Sequence, residues 1–160
     1  MIFLTVGTQF PFDRLVQAVD AIFDDGVIAE EAFAQIGQTA YRPRNFAAVP
    51  YLDKDAFDRH VAEASAIISH AGMGIISAAL ALKKPLLVMP RLKEYNEAVN
   101  DHQVSIAKRF SELGHILVAY DVEDLPDGVR RLENFIPKER DAAPDEVADR
   151  IRHFLDSLHD

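Results

Sequence analysis

The amino-acid sequence predicts an α/β fold, a Rossmann-like, doubly wound and mostly parallel sheet with helices on both faces. Short apolar runs lack the polar alternation of half-exposed strands, so they are typical of strands buried on both faces. Amphipathic stretches with helical spacing lie between these runs, as right-handed β-α-β crossovers require. The chain has 160 residues, which suffice for one compact domain and not for two. We therefore expect a single domain over residues 1–160.

The predicted strands follow the apolar runs in chain order. Four runs stand out, and two shorter strands complete the set between the first run and the second. The strands are Ile2–Val6, one near Phe33–Ile36, one near Phe46–Val49, Ala66–Ile68, Leu86–Met89 and Ile116–Ala119.

The predicted helices lie in the intervening stretches. Asp53 is the expected N-cap of a helix over Asp55–Ala64, and Pro85 follows the end of another helix. After Tyr120 we expect an acidic, Pro-containing connection, and then a C-terminal helix near residues 145–158 with one apolar face. The apolar positions that carry these predictions are Phe12, Leu15, Val16, Val19, Ile22 and Phe23, then Ile75–Leu82, then Ile106, Ala107, Phe110 and Leu113, and finally Val147, Ile151, Phe154, Leu155 and Leu158.

The composition narrows the classes of partner and compartment. A formal net charge of -9 repels phosphate backbones, which disfavours nucleic acid as a partner. The chain has no cysteine, which excludes disulfides and thiolate nucleophiles and favours a reducing cytoplasm. Its N-terminus lacks the basic region of a signal peptide, and no apolar run approaches the ~20 residues of a membrane helix. We expect a cytoplasmic protein that contacts a membrane only through a partner.

Two loops at the carboxyl ends of strands are rich in small and polar residues. Ligands of doubly wound sheets bind at this edge. Gly7-Thr8-Gln9 follows the first strand, and Ser69–Gly74 runs directly into the apolar helix. Free N–H groups at a helix start, approached past glycines, favour an anion such as a diphosphate. The alternative is that Gly72 and Gly74 only allow a tight turn, and the spacing alone leaves both interpretations open.

A third loop, Pro90–Gln103, is long and charged for a connection inside a compact domain, which is typical of functional loops. The alternative interpretation is a surface loop exposed to solvent, with Asn100 or Asp101 capping the next helix.

No metal site is predicted. Asp53-Lys54-Asp55 has an acidic-x-acidic form, but it opens a predicted helix, and the other acidic and histidine residues lack metal-ligand spacing.

The ordered series of these motifs resembles the C-terminal-domain group of GT-B glycosyltransferases, family 28. The likeness is greatest to its single-domain members, the small subunits of two-subunit UDP-sugar transferases of the dolichol pathway and of bacterial exopolysaccharide synthesis. The matching elements occur in family order over roughly residues 1–120. They are Phe3–Thr8, Phe12–Leu15, Gln35–Gly37, Ile67–Gly74, Lys84–Arg91 and Asn100–Gln103.

The resemblance implies one half of a GT-B fold that binds a UDP-sugar without a cofactor. By this analogy the glycine turn holds the diphosphate, backbone near Tyr51-Leu52 meets the uracil, and the third loop faces the sugar. His70 and His102 are the candidate catalytic residues, and a general base on a partner is the alternative. The implied substrate-binding residues are Gly7, Thr8, Leu52, Ser69, His70, Ala71, Gly72, Met73, Gly74, Arg91, Asp101, His102 and Gln103.

The resemblance also implies a partner. In such systems a membrane-associated subunit supplies the other half of the cleft and a lipid-linked saccharide acceptor. The expected reaction is an inverting, metal-independent transfer, and the identity of the transferred sugar stays open.

One departure from the family is Ala78, where many relatives carry an acidic residue that holds the ribose. Glu94 or Glu97 is therefore a candidate to bind the ribose in its place. This departure would suit the alternative function, a non-catalytic activator of a partner transferase.

Overall fold

The computed structural model describes residues 1–139, so the C-terminal helix predicted near residues 145–158 lies outside the described residues. Six parallel strands form one sheet in the order β3-β2-β1-β4-β5-β6. The order reverses between β1 and β4, as in a Rossmann-like sheet, and this confirms the predicted fold class. The strands are β1 (Ile2–Thr5), β2 (Ala32–Gln35), β3 (Ala47–Val49), β4 (Ala66–His70), β5 (Leu86–Met89) and β6 (Leu117–Val118).

Helices cover both faces of this sheet. One apolar cluster packs α1 and α5 on one face, and a second packs α2, α3 and α4 on the other. Within residues 1–139, no helix has the length and apolar character needed to cross a membrane. The helices are α1 (Asp13–Asp24), α2 (Lys54–Glu63), α3 (Met73–Ala81), α4 (His102–Glu112) and α5 (Leu125–Leu132), and short 3-10 turns cover Lys93–Tyr95 and Val122–Asp124.

The start of α3 differs from the prediction in a way that matters for the site. Strand β4 continues through His70, and α3 begins at Met73, two residues before the predicted Ile75. Ser69 and His70 are therefore strand residues, and Gly74 belongs to the first helical turn. Only Ala71 and Gly72 connect the two elements, so the sheet fixes the direction in which α3 begins.

The connection predicted after Tyr120 is wrong, because this segment forms α5. Pro126 and Gly128 obscure the helix in the sequence, yet each has a physical place in it. Pro126 lies in the first turn, where its missing N–H has no helical acceptor to lose. A Cβ on Gly128 would lie 2.8 Å from Leu87 Cδ1, so the glycine lets α5 approach β5 closely.

A buried carboxylate holds the segment between β2 and β3 against α1. Asp20 is 1% exposed, and it accepts hydrogen bonds from Tyr41 Oη at 2.7 Å, Asn45 N at 2.9 Å and Arg44 N at 3.1 Å. Burial raises the pKa of this carboxyl, but the hydrogen bonds from Tyr41, Asn45 and Arg44 outweigh it, and the pKa lies below its ordinary value. The ionised form therefore stabilises the fold.

We expect Asp20→Asn to lower the free energy of unfolding by about 2 kcal/mol at pH 7, because an amide N–H₂ would face several donors. Since the folded pKa is lowered, this stabilisation is complete above the unfolded value of about 3.9 and is lost as pH falls through the folded pKa. Urea unfolding between pH 3 and 7 measures the difference, with exposed Asp25→Asn as the control. A difference that stays constant down to pH 3 contradicts the assignment.

Candidate functional site

A cavity of about 870 Å³ opens at the carboxyl ends of β1 and β4, where the strand order reverses. Its volume is within the range of small-molecule sites, about 300–1,000 Å³. The structure brings most of the predicted site residues together in its lining. They are Gly7, Thr8, Leu52, His70, Gly72, Met73, Gly74, Arg91, His102 and Gln103.

Three predicted substrate-binding residues lie elsewhere. Ser69 is fully buried, and its Oγ donates to Thr5 O at 2.6 Å, which ties β4 to β1. Ala71 is also fully buried, within the apolar cluster on the α3 face of the sheet. The Asp101 carboxylate accepts from Lys93 N at 2.7 Å and so braces the long loop. None of these side chains lines the cavity, so their predicted contacts with substrate find no support in the geometry.

The His70 imidazole lies between two glycines. A Cβ on Gly7 would approach His70 Cε1 to 2.9 Å, and a Cβ on Gly72 would approach Nε2 to 2.2 Å. Gly7 also has a φ of +72°, a conformation that side chains disfavour. The two positions must therefore be glycine for His70 to sit between them, whether or not an anion binds.

His70 is uncharged at neutral pH. Burial, and then the positive charge of Arg91, lower its pKa to about 4. The Ser69 hydroxyl lies 3.1 Å from His70 Nδ1, and it already donates to Thr5 O, so it can only accept from this nitrogen. Nδ1 then carries the proton and Nε2 the lone pair. Such an imidazole is a weak base, better suited to positioning than to proton transfer.

The N-terminus of α3 is open to the cavity. Gly72 is its N-cap residue, and no side chain caps the helix. The unpaired N–H groups of the first turn and the helix dipole make this end attractive to anions. A Cβ on Gly74 would meet nothing within 4 Å. Unlike Gly72, Gly74 therefore has no packing reason to be glycine, and its open space belongs to the cavity.

An ion pair anchors the long loop between β5 and α4. Arg14 donates to the Glu97 carboxylate through Nε and Nη2, both at 2.8 Å, and Leu92 N donates to the same carboxylate at 3.0 Å. Tyr95 stacks on the Arg14 guanidinium at 4.6 Å. Glu97 is 5% exposed and fully engaged, so it is not the free ribose ligand suggested as a substitute for an acidic residue at position 78. Glu94, the other substitute, does not line the cavity.

Arg91 lines the cavity, but its guanidinium is committed to the backbone. Nη1 donates to Pro11 O at 2.9 Å and Glu97 O at 3.2 Å, and Nη2 donates to Val6 O. Burial lowers the pKa of this guanidinium to about 10, which leaves it protonated at neutral pH. Arg91 thus joins the loops that follow β1 and β5 and shapes the cavity, with three of its five N–H donors engaged by backbone carbonyls.

The first turn of α4 presents His102 and Gln103 to the cavity. Asn100 Oδ1 accepts from His102 N at 3.2 Å and contacts His102 Nδ1, so the proton lies on Nδ1 and Nε2 keeps its lone pair. Gln103 Oε1 accepts from Arg91 N at 3.1 Å. His102 is thus an accessible proton acceptor, in contrast to buried His70.

Sequence reasoning missed one wall of the cavity, formed by α2. Lys54, Phe57 and Asp58 line it at the i, i+3, i+4 spacing of a single helix face. This spacing follows the predicted N-cap Asp53, whose carboxylate accepts from Ala56 N at 2.8 Å as expected. Gln35 at the end of β2 also lines the cavity, and its Oε1 accepts from Leu52 N at 3.0 Å.

Within residues 1–139, no three His, Asp or Glu side chains are grouped as metal ligands.

We expect Gly72→Ala to lower the free energy of unfolding by about 2 kcal/mol, because its Cβ overlaps the His70 ring. In a His70→Ala background the same change should be neutral or stabilising, since the φ of Gly72 is ordinary for alanine. A double-mutant cycle from denaturant unfolding measures the coupling. Equal destabilisation in both backgrounds would show that the ring is not what requires the glycine.

Comparison with known proteins agrees with the sequence motifs. The model of the glycosyltransferase family 28 C-terminal domain matches residues 1–155. The UDP-N-acetylglucosamine transferase subunit ALG13 of Homo sapiens is 32% identical over 126 residues, which cover 72% of this chain and 10% of that protein. The chain thus spans only about a tenth of the length of this relative.

Solved structures show the same fold. An NMR solution structure of ALG13 has a TM-score of 0.59 at 20% identity, covering 94% of this chain and 93% of that one. The crystal structure of MurG from Acinetobacter baumannii has a TM-score of 0.58 at 21% identity, covering 82% of this chain and 40% of that one. The family match and the shared fold lead to one conclusion: this chain belongs to the glycosyltransferase family 28 C-terminal domain family.

Proposed function

We propose that this chain is the donor-binding subunit of an inverting, metal-independent glycosyltransferase that takes its sugar from a UDP-sugar. The observation that carries the proposal is the uncapped start of α3 beside Gly74, open to the cavity at the strand-order reversal. A family 28 domain with an anion site at this place fits the diphosphate of a nucleotide sugar. Because relatives are named UDP-N-acetylglucosamine transferase subunits, UDP-N-acetylglucosamine is the first donor to test.

The base end of the nucleotide belongs beside Leu52. The N–H of Leu52 already donates to Gln35 Oε1, so this N–H is not available to bind the base. The Leu52 carbonyl has no hydrogen-bond donor among residues 1–139, and it is a suitable acceptor for the uracil N3–H. Phe57, on the same wall, supplies apolar surface for the ring. Gln35 is thereby a positioning residue for the base.

In the reaction, an acceptor hydroxyl oxygen bonds to the anomeric carbon as the bond from that carbon to the diphosphate oxygen breaks. The first-turn N–H groups of α3 stabilise the charge that develops on the leaving phosphate, so no metal is needed for this role. The hydroxyl proton passes to a base. Of the two predicted histidines, His102 suits this step better, because it is exposed and lines the cavity, whereas His70 is buried with a pKa of about 4.

The acceptor is held by a second subunit. The relatives are named as subunits of a UDP-N-acetylglucosamine transferase, which supports a second chain in the enzyme. We place the acceptor, a lipid-linked saccharide, on a membrane-associated partner that closes the cavity from its open side. A non-catalytic activator is the rival function, favoured by Ala78, which leaves the α3 wall without an acidic side chain.

We expect the chain to bind UDP in buffer that contains EDTA, and Gly74→Val to weaken this binding at least ten-fold. A Cβ at this position meets nothing within 4 Å, so the valine would enter open space beside the N–H groups of α3, and we expect the fold to tolerate it. Titration calorimetry measures the Kd, and thermal melting checks the fold. Exposed Ser77→Val on the same helix is the matched control. UDP binding that vanishes with EDTA, or that survives Gly74→Val, contradicts the proposed phosphate site.

We expect the chain alone to show almost no sugar transfer, and activity to appear once its membrane-associated partner is added.

In the complex with this partner, His102→Ala should lower kcat by about 10²-fold or more, as the loss of a proton acceptor implies. It should change the Kd for UDP by less than about three-fold. Radiolabelled sugar transfer to lipid acceptor measures kcat. Robust turnover by the isolated chain would contradict the two-subunit arrangement, and undiminished kcat in His102→Ala would support the activator role.

A further inference from the structure

The cavity contains a carboxylate that the proposed reaction does not use. Among the described residues that line the cavity, Asp58 on α2 is the only acidic one. Its side chain is 56% exposed and pairs with Lys54 one helical turn earlier. An acidic group in a diphosphate site repels the phosphates, so its presence calls for a different part of the ligand.

The helices that line the cavity indicate which part of the nucleotide this carboxylate meets. Gly74 and Ala78 line the cavity from one face of α3, four residues and therefore about 6 Å apart. The diphosphate of a UDP-sugar is bonded to the ribose on one side and to the sugar on the other. The ribose lies on the side of the base, which the proposed function places beside Leu52, shortly before α2. Ala78 leaves room above α3, and Asp58 lines the same cavity from α2, so a ribose between the base and Gly74 is within the part of the cavity that both helices line.

The chemistry of the ribose suits such a partner. Its 2′ and 3′ hydroxyls are adjacent donors, and a carboxylate can accept from both through its two oxygens. Resting on the proposed function, we infer that Asp58 binds the ribose hydroxyls and selects a ribonucleotide over its 2′-deoxy analogue. Lys54, its neighbour on the same helix face, offsets the charge of Asp58 near the phosphates.

The test compares UDP with 2′-deoxy-UDP by titration calorimetry on the full chain. The wild type should bind UDP about ten-fold more tightly, as expected for a hydrogen bond to a charged acceptor. In Asp58→Asn the Kd for UDP should rise about ten-fold, and the Kd for 2′-deoxy-UDP should stay the same or fall, because the repulsion of the phosphates is lost. The preference for UDP should therefore fall to about two-fold or less.

Two controls separate this role from a structural one. Asp127→Asn removes an exposed i, i+4 pair with Arg131 on α5, outside the cavity, and should leave both Kd values unchanged. Lys54→Ala removes the ion-pair partner and should keep the preference for UDP. A wild type without that preference, or a preference that survives Asp58→Asn, overturns the Asp58 assignment alone. A wild type that binds neither nucleotide overturns the proposed function itself.

Discussion

The buried guanidinium of Arg91 is the interaction on which the cavity depends. It donates to Val6 O and Pro11 O on one side and Glu97 O on the other, so one side chain joins the loops that follow β1 and β5. These loops leave strands at opposite sides of β4, and the site lies between them. Phe12 stacks on the guanidinium at 4.9 Å, which covers its apolar face. Burial of the His70 ring lowers its pKa most, and the charge of Arg91 lowers it further. One side chain thus fixes the walls of the cavity and contributes to the neutral state of His70.

The fold was predictable because burial of a parallel sheet on both faces leaves an unbroken apolar signal in each strand. The place of the cavity was predictable as well, since ligands lie at the carboxyl ends of such strands. The sequence did not predict which polar side chains bind other parts of the fold and which line the cavity. Arg91 and Glu97 have the chemistry of ligand-binding residues, yet each is engaged by backbone or by a side chain from a distant part of the chain. Sequence spacing carries no information on such long-range pairing, and α5 was missed because its Pro and Gly resemble loop residues.

The glycine turn combines two constraints that look identical in sequence. Gly72 makes room for an imidazole, since its Cβ would meet His70 Nε2 at 2.2 Å. Gly74, two residues later, has open space and faces the cavity. The two interpretations that the spacing left open are therefore not exclusive, because packing accounts for one glycine and leaves the other without a structural reason. A substitution at Gly72 reports on packing around His70, and only Gly74 can report on a bound anion.

An acidic chain that holds a diphosphate must do so by local fields rather than by its net charge of -9. In the described part of the chain the cavity receives its positive field from the α3 N-terminus, from Lys54 and from buried Arg91, and its only carboxylate is Asp58. Because the α3 dipole acts within its first turn, attraction for phosphate is concentrated beside Gly74, whereas the carboxylate lines the cavity from α2. This separation allows one small site to favour phosphate at one point and hydroxyl donors at the next.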